Sequence, residues 1–488
     1  MATDETLITL AYAVRVRVVL KYLGQLALVL AALTAVPLLV ALGYGDHRFA
    51  LRLAVIIALL LIGGGLFSRL PSPSRVQVNE ALVITTLAFL ISALLMSYPL
   101  MAAGLGFLDA LFEAISGVTT TGLSTLASVH DKSQAFLFTR AWMQWYGGLG
   151  IVVLSVALLA GHHAASRRLI DPESSSENIA TTTRHYARRM LHVYLALTAV
   201  GVAVLWLLQV DLFTAVSHVL AAVSTGGFST FDNSLAALPL AAQGAITLIA
   251  AAGAVALPLY YLMFHKGMGE ALRDVELRTL VLLLLLSSAL LSWLFLHNGM
   301  GWSAALQQGL LLGFSAQSTT GFSSIDVGAL GTTAKLVVIM AMIGGGSVGS
   351  TAGGIKVLRL LVLWRMLSLT VRRTSLSEHA VVEPWIGGRR LDSDDIERAL
   401  MLIALFLMVV VFSWVPFLLL GYDPMNALFE VVSATGTVGL STGLSSSDLP
   451  ALLRGVLCFD MLAGRVEILA LLVVLYPGSW FGKRTDVT

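Results

Sequence analysis

The sequence predicts an all-α polytopic membrane protein: four pseudo-repeated units of helix, pore helix, filter segment and helix surround one central pore, and an N-terminal helical hairpin precedes them. The first observation behind this prediction is the composition, since 57% of the residues are hydrophobic and 12% are charged. Soluble domains carry about 25% charged residues, so most of this surface must face lipid. The second observation is a six-residue phrase that occurs four times, at intervals of roughly one hundred residues.

The repeated phrase reads Thr-x-Gly-[Leu/Phe]-Ser-[Ser/Thr], and each copy stands between a short apolar run and a long one. The copies occupy 120–125, 225–230, 319–324 and 437–442. Irregular backbone at membrane depth is tolerated only where it is buried in protein or faces water or an ion. One copy alone would favour an ordinary turn between helices. Four copies in register favour a ring of backbone carbonyls, the arrangement that replaces the hydration shell of K⁺.

The N-terminal apolar stretch is too long for a signal peptide, so we expect a first spanning helix that is retained. Ten stretches of the chain are long enough to cross about 30 Å of hydrocarbon. They lie near 20–43, 51–70, 80–104, 137–161, 190–210, 240–264, 277–297, 334–363, 398–421 and 451–477. Arginine and lysine concentrate in the links on one side of this map. The positive-inside rule therefore predicts that both termini are cytoplasmic and that all four phrases lie on the outer side.

The predicted units are an N-terminal two-helix hairpin at 1–75 and pore repeats at 76–165, 166–268, 269–372 and 373–488, the third with an intramembrane gating loop. The short apolar run of each repeat cannot span the membrane, so it is predicted to be a half-helix that enters from outside. Its carboxyl end, the negative end of the helix dipole, then points at the pore and favours a cation. The predicted N-caps of these half-helices are Asp109, Asp211, Ser303 and Asp423.

The first three residues of each phrase are the candidate K⁺ ligands, through backbone carbonyls that glycine lets turn toward the axis. They are Thr120, Thr121, Gly122, Thr225, Gly226, Gly227, Thr319, Thr320, Gly321, Thr437, Val438 and Gly439. The residue after each glycine is expected to pack behind this filter. The serine that follows is expected to bond local backbone more than the ion.

A glycine-dense run interrupts the eighth predicted span and is the candidate gate. Its residues are Gly344, Gly345, Gly346, Ser347, Gly349, Ser350, Gly353 and Gly354. Each glycine costs about 1 kcal/mol in a helix relative to alanine, so this run is not expected to be a continuous helix. Tight helix packing by small residues is the alternative. The density of glycines favours a mobile intramembrane loop under the filter.

Arg465 is predicted to be part of the gate, on the pore wall just inside the filter. An arginine near the middle of a spanning helix costs about 2.5–3.5 kcal/mol on insertion scales, so it should face partners or a water-filled cavity. Arg465 could pair with Glu467 or another acid and raise a barrier to ion flow. A purely structural ion pair is an equally open interpretation.

Together with the four phrases, three further motifs carry a family resemblance. They are Gln-Trp-Tyr-Gly-Gly-Leu-Gly at 144–150, Gly-Gly-Ser-Val-Gly-Ser-Thr-Ala-Gly-Gly-Ile-Lys at 345–356 and Gly-Arg-Val-Glu at 464–467. Over essentially its whole length the chain resembles the Trk/Ktr/HKT superfamily of K⁺ transporters. The extra N-terminal hairpin is similar to that of the bacterial TrkH/TrkG-type branch.

This resemblance implies K⁺ as the transported ion, a multi-pass protein of the bacterial cytoplasmic (inner) membrane, and a homodimer with one pore per subunit. It also implies gating by a cytoplasmic TrkA-like ring of nucleotide-binding domains. The glycines matching the filter, the loop 344–354 and Arg465 would keep the roles given above. Some plant relatives that transport Na⁺ have serine at the first filter glycine, and Gly122 argues against that here.

Two alternatives to a K⁺ uptake protein are open. A relative of the same architecture could transport Na⁺ or NH₄⁺. A polytopic membrane enzyme would need clustered carboxylates or histidines at membrane depth, and the nearest candidates, Glu113 and Glu430, occupy equivalent places in two half-helices. The prediction is therefore a transporter and not an enzyme, with membrane lipid as its surroundings and no organic cofactor or nucleic-acid partner. Channel-like conduction and H⁺- or Na⁺-coupled symport both stay open.

Overall fold

A computed structural model describes residues 13–71, 76–162, 179–375 and 383–481, without the side chains of 151–186 and 389. These ranges are mostly helical, which confirms the predicted all-α class. Regular strand pairing within them is limited to an antiparallel pair of two-residue strands, β1 (Trp385–Ile386) and β2 (Arg389–Arg390).

The N-terminal hairpin consists of α1 (Val16–Gly43) and α2 (His47–Phe67). The two helices approach each other backbone to backbone at Gly24, where an added Cβ would lie 2.6 Å from the nitrogen of Ser68. Both helices keep large apolar side chains exposed along their length. The hairpin is therefore tightly paired on one side and presents a lipid-compatible surface on the other.

The four repeats share one order of elements. The long first helices are α3 (Val78–Leu100), α6 (Ile179–Leu207), α11 (Val275–His297) and α15 (Ser393–Leu419). The half-helices are α4 (Phe107–Val118), α7 (Leu212–Val223), α12 (Trp302–Gln317) and α16 (Pro424–Thr435). The second helix of repeat 1 is α5 (Gln134–His162), and the others are the pairs α8 (Leu240–Gly253) with α9 (Leu257–Lys266), α13 (Thr332–Gly344) with α14 (Val357–Arg373), and α17 (Ala451–Val466) with α18 (Ile468–Leu475). The short α10 (Met268–Ala271) links repeats 2 and 3.

The second helices of repeats 2, 3 and 4 are broken. Six helices among the described residues are long and apolar enough to cross a membrane, or seven if α8 and α9 count as one bent span. The break in repeat 3 was predicted, but the continuous spans predicted near 240–264 and 451–477 are wrong.

The axes of α8 and α9 meet at 90°, with Pro258 at the start of α9. Proline removes a backbone donor and fixes φ, which favours a new helix start. In repeat 4, Glu467 adopts a φ of 62° and ends α17.

Two of the four predicted helix caps are correct. Asp211 and Asp423 each accept a hydrogen bond from the backbone N–H three residues on, at 3.2 and 2.9 Å. The predictions for Asp109 and Ser303 are wrong because glycines occupy the N-cap positions of α4 and α12. Asp109 lies in the first turn of α4 and forms an ion pair with Arg454 from repeat 4. This pair joins the last repeat to the first.

The core of the bundle surrounds the half-helices and the segments that follow them. The residue after each phrase glycine is buried, since these side chains are between 1% and 4% exposed. They are Leu123, Phe228, Phe322 and Leu440. Close packing of large side chains on the outside of the ring fixes the backbone inside it.

Candidate ion-conduction site

Each half-helix ends in the same left-handed turn. The first threonine of every phrase has a φ between 49° and 55°, which is rare for a residue other than glycine. In repeat 1 the N–H of Thr120 donates to Gly117 at 3.0 Å, and that of Thr121 donates to Ser116 at 2.9 Å. The equivalent pairs of bonds occur in the other three repeats. This Schellman-type termination leads the chain away from the helix axis, and strained residues of this kind cluster at functional sites.

The four phrases form a closed ring. Each phrase glycine has a φ between 75° and 93°. An added Cβ on any of them would lie 2.0–2.2 Å from the carbonyl oxygen of the middle residue in the next phrase. The contacts run from Gly122 to Gly226, from Gly227 to Thr320, from Gly321 to Val438 and from Gly439 to Thr121. The last contact returns to the first repeat, so the four segments lie side by side around one axis.

Threonine hydroxyls lie at the start of each segment in the ring. The Oγ1 atoms of Thr120 and Thr437 are buried and have no hydrogen-bond partner in the described part of the chain. Oγ1 of Thr319 accepts from the N–H of Gly353 at 2.7 Å, and Oγ1 of Thr225 donates to the carbonyl of Ser224 at 2.7 Å. Buried hydroxyls are normally satisfied, so the two unpartnered oxygens mark a place where a ligand could bind.

Side chains of the half-helices hold three of the phrase serines. Ser124 donates to Glu113 at 2.5 Å, and Ser441 donates to Glu430 at 2.6 Å. In repeat 2, His218 takes this place, with its Nε2 3.1 Å from the hydroxyl of Ser229. The same serine hydroxyls accept from backbone N–H groups two residues on, so the predicted bonds to local backbone occur in three of the four phrases. These serines therefore brace the ring from outside.

The acidic brace of repeat 1 also contacts repeat 2. Arg140 donates its Nε–H to Glu113 at 2.9 Å, and both side chains are almost fully buried. The Arg140 guanidinium lies 3.8 Å from the ring centroid of Phe228, which allows a cation–π contact. A buried ion pair therefore connects two neighbouring segments of the ring.

Replacing Glu113 with glutamine should destabilise the protein more than the same change at Glu430. Glu113→Gln leaves Arg140 buried without its counter-charge, a loss of about 3 kcal/mol. Glu430→Gln is the matched control, because the partners of Glu430 are hydroxyl and backbone groups and the change costs about 1 kcal/mol. Thermal unfolding in detergent measures the difference. Equal shifts for the two variants would contradict the role given to the Arg140 pair.

Gln144 is a contact that sequence reasoning missed. Its amide Nε2 donates to the carbonyl of Gly226 at 2.5 Å, and its Oε1 accepts from the N–H of Phe228 at 3.1 Å. A Cβ at position 226 would lie 2.4 Å from the amide carbon of Gln144, so the first glycine of this phrase makes room for it. The available signal was a glutamine within an apolar span, one residue before Trp145.

The predicted interruption at 344–354 is present and lies directly beneath the ring. The N–H of Gly354 donates to the carbonyl of Gly436 at 3.1 Å. A Cβ on Gly353 would lie 2.1 Å from the same carbonyl oxygen and 2.2 Å from Oγ1 of Thr437. The loop therefore touches the inner ends of the third and fourth segments, since Gly353 also donates to Thr319 as described above.

The residues at the break between α8 and α9 form hydrogen bonds with the first part of this loop. Ser347 N–H donates to the carbonyl of Ala254 at 2.9 Å, and Leu257 N–H donates to the carbonyl of Gly349 at 3.1 Å. On repeat 3 itself, the Glu276 carboxylate accepts from the N–H of Val348 at 2.6 Å. Backbone groups freed by one helix break thus satisfy those of the other, which makes irregular backbone tolerable at membrane depth.

Arg465 bridges the loop and repeat 1. Its side chain is 3% exposed, and it donates to the carbonyl of Thr351 at 2.7 Å and to that of Gly147 at 3.0 Å. The suggested pairing with Glu467 is wrong. The chain turns at Glu467, whose carboxylate lies 2.5 Å from Arg359 on α14. Among the described residues no carboxylate forms a salt bridge with Arg465, so its charge is held by carbonyl dipoles.

The structure defines the class of the protein: a multi-pass membrane protein in which four half-helices direct their carboxyl ends at one ring of backbone segments. The TrkH family of cation transport proteins matches residues 47–478. The chain therefore belongs to this family, which confirms the resemblance drawn from the motifs.

Several relatives match nearly the whole chain. It is 31% identical to the Trk system potassium uptake protein TrkI of Halomonas elongata, over 95% of this chain and 96% of that protein. It is 27% identical to the Trk system potassium uptake protein TrkH of Escherichia coli, over 95% of this chain and 99% of that protein. The crystal structure of the potassium transporter TrkH from Vibrio parahaemolyticus superposes with a TM-score of 0.85 at 25% identity, covering 96% of this chain and 100% of that one. These relatives are transporters and not enzymes.

Proposed function

We propose that this protein takes up K⁺ across the bacterial cytoplasmic membrane through the ring of four phrases. The observation that carries the proposal is the closed cycle of contacts between each phrase glycine and the carbonyl of the next phrase. Such a cycle fixes four sets of carbonyl oxygens around one axis, as a dehydrated cation requires. The proposed ligands are the backbone carbonyls of the first three residues of each phrase, from Thr120–Gly122 through Thr437–Gly439.

Two features of the structure support a cation as the transported ion, and the relatives support K⁺ among the cations. Four half-helices point their carboxyl ends at the ring, and a helix carries roughly half a negative charge at that end. The unpartnered hydroxyls of Thr120 and Thr437 add neutral oxygen ligands at the inner end. The relatives named above are potassium uptake proteins, which favours K⁺ over the other cations that such a ring accepts.

The loop at 344–354, together with Arg465, is proposed to act as the gate. The contacts of Gly353 and Gly354 with the inner ends of two segments support an obstructing position. The positive charge of Arg465 beneath the ring opposes the passage of a cation. Side chains of Gln317, Thr319 and Glu276 also bond the loop, so opening must break these bonds as well as backbone hydrogen bonds.

Orientation and assembly complete the proposal. The N–H of Val14 donates to the carbonyl of Ser479 at 2.9 Å, so the two ends of the described chain meet at one face. The distribution of arginine and lysine supports a cytoplasmic face there. A homodimer and a cytoplasmic TrkA-like nucleotide-binding subunit are proposed from the resemblance to the family.

The proposal is tested by cation flux in proteoliposomes that contain only this protein. Uptake of ⁸⁶Rb⁺ should be competed by K⁺ at least tenfold more effectively than by Na⁺ or NH₄⁺. A pH-sensitive dye in the lumen reports whether protons move with K⁺, which separates conduction from H⁺-coupled symport. Equal competition by K⁺ and Na⁺ would contradict K⁺ selectivity, and transport of Na⁺ or NH₄⁺ in preference to K⁺ would favour the alternative substrates.

A further inference from the structure

A small cavity lies under the loop, between repeats 3 and 4. Its volume is about 40 Å³, and its charged lining consists of Lys356, Arg359, Arg465 and Glu467. Glu467 is already paired with Arg359 at 2.5 Å. The lining therefore has a formal excess of two positive charges, one of which the Glu276 carboxylate near Lys356 offsets. The remaining positive charge surrounds a space directly below a site proposed to carry cations.

The remaining two cations have backbone partners that do not neutralise them. Lys356 donates to the carbonyl of Ala352, and Arg465 donates to the carbonyls described above. The Nε of Arg465 is buried and has no hydrogen-bond partner among the described residues. A buried charge without a counter-ion is costly, and a cationic donor left unpaired adds to that cost.

Two helix N-termini add to the positive potential. α14 begins immediately after Lys356, and the Glu276 carboxylate accepts from the N–H of Leu358 in its first turn. α18 begins immediately after Glu467, and its N-cap makes no side-chain capping bond. The first turns of these helices carry the positive ends of the helix dipoles, which favour anions. The helix dipoles therefore present opposite ends to the ring and to the cavity. Carboxyl ends of half-helices surround the ring above, while amino ends of broken helices border the cavity below.

We infer that this cavity binds a small inorganic anion of about the size of chloride. A volume of about 40 Å³ is enough for an ion slightly larger than a water molecule. The anion would compensate the charges of Lys356 and Arg465, which line the cavity. Only its effect on flux rests on the proposed function: a compensated Arg465 opposes K⁺ less, so anion binding facilitates conduction.

Binding is measured without reference to transport. The full-length protein in detergent is titrated with bromide against gluconate at constant ionic strength, and the unfolding temperature is followed. Bromide and chloride should stabilise with saturation, and gluconate, which is a much larger anion with its charge on a carboxylate, should not. Lys356→Gln should weaken the apparent affinity at least tenfold. Arg372→Gln, on the exposed end of the same helix, is the matched control and should retain it.

Anomalous diffraction from bromide in crystals of the unaltered protein tests the inference without any variant. A peak within hydrogen-bond distance of Lys356 and Arg465 is expected. Absence of that peak and of saturable stabilisation would overturn the inference, as would stabilisation by phosphate but not by halides. Equal loss of affinity in the Arg372→Gln control would also overturn it, because the halide would then be an adventitious ion only.

Flux then tests the consequence. With K⁺ gradients fixed, chloride at the cytoplasmic face should support at least twofold faster Rb⁺ flux than gluconate, and Lys356→Gln should remove that difference. A protein that binds bromide but shows no K⁺ selectivity would contradict the proposed function and leave the anion site standing. Selective K⁺ flux without anion binding would contradict the anion site and leave the proposed function standing.

Discussion

Replacing Gly321 with alanine should abolish selective K⁺ uptake. The added methyl group would lie 2.0 Å from the carbonyl oxygen of Val438, far inside van der Waals contact. Alanine is also strained at the φ of 85° found at this position. The next segment must move, and because the contacts form a cycle, its displacement passes to the neighbouring segments. We expect the maximal K⁺ flux, or the preference of K⁺ over Na⁺, to fall at least tenfold.

The control for this prediction is Gly244→Ala. Gly244 lies in α8, and an added Cβ there meets no atom within 4 Å. Alanine should therefore stabilise that helix by up to about 1 kcal/mol and leave flux unchanged. The two variants are compared for expression, monodispersity and ⁸⁶Rb⁺ uptake with K⁺ and Na⁺ as competitors. A folded Gly321→Ala protein with unaltered selectivity would show that the ring is not the filter.

Replacing Arg465 with alanine should raise the maximal K⁺ flux. A unit charge about 8 Å from the ion contributes about 2 kcal/mol at an effective dielectric of about 20. A membrane potential of 100 mV supplies about 2.3 kcal/mol per elementary charge, so the arginine can slow inward movement without stopping it. The variant also loses both bonds that tie the loop to repeat 1. We expect a rise of about tenfold, with little change in the apparent affinity at the outer side.

Arg465→Lys separates the two contributions. Lysine keeps the charge but has a single ammonium group in place of the guanidinium fork that reaches Thr351 and Gly147. If the charge dominates, Arg465→Lys should conduct like the unaltered protein. If the bridge dominates, it should conduct like Arg465→Ala. Slower uptake by a well-folded Arg465→Ala variant would contradict the barrier altogether.

Much of this architecture could be predicted because the sequence contains repeated and compositionally distinct segments. The four phrases gave the repeats, the half-helices and the ring, since a glycine between hydroxyl residues at membrane depth has few structural uses. The interruption at 344–354 could be predicted from glycine density alone. Arg465 could be assigned to the region beneath the ring from its distance past Gly439.

The remaining features depend on contacts between distant parts of the chain. The break at Glu467 follows a sequence with ordinary helix propensity, and tertiary contacts such as the pair with Arg359 stabilise its left-handed backbone. The break before Pro258 was hidden by a continuous apolar stretch. The partners of Arg465 are backbone carbonyls, which every residue possesses, so no residue type could point to them. The predicted repeat boundaries stay predictions.

The ring of contacts has fourfold order in its backbone but only twofold order in its side chains. In the first and third phrases the middle residue is threonine, and its hydroxyl bonds a hydroxyl two residues earlier at 2.8 Å. In the second and fourth phrases the middle residues are Gly226 and Val438, which lack that bond. The stiffened segments therefore face each other across one diagonal and the others across the second diagonal. A pore assembled from four identical chains cannot hold such anisotropy, whereas a fused chain can let one diagonal widen while the other stays fixed.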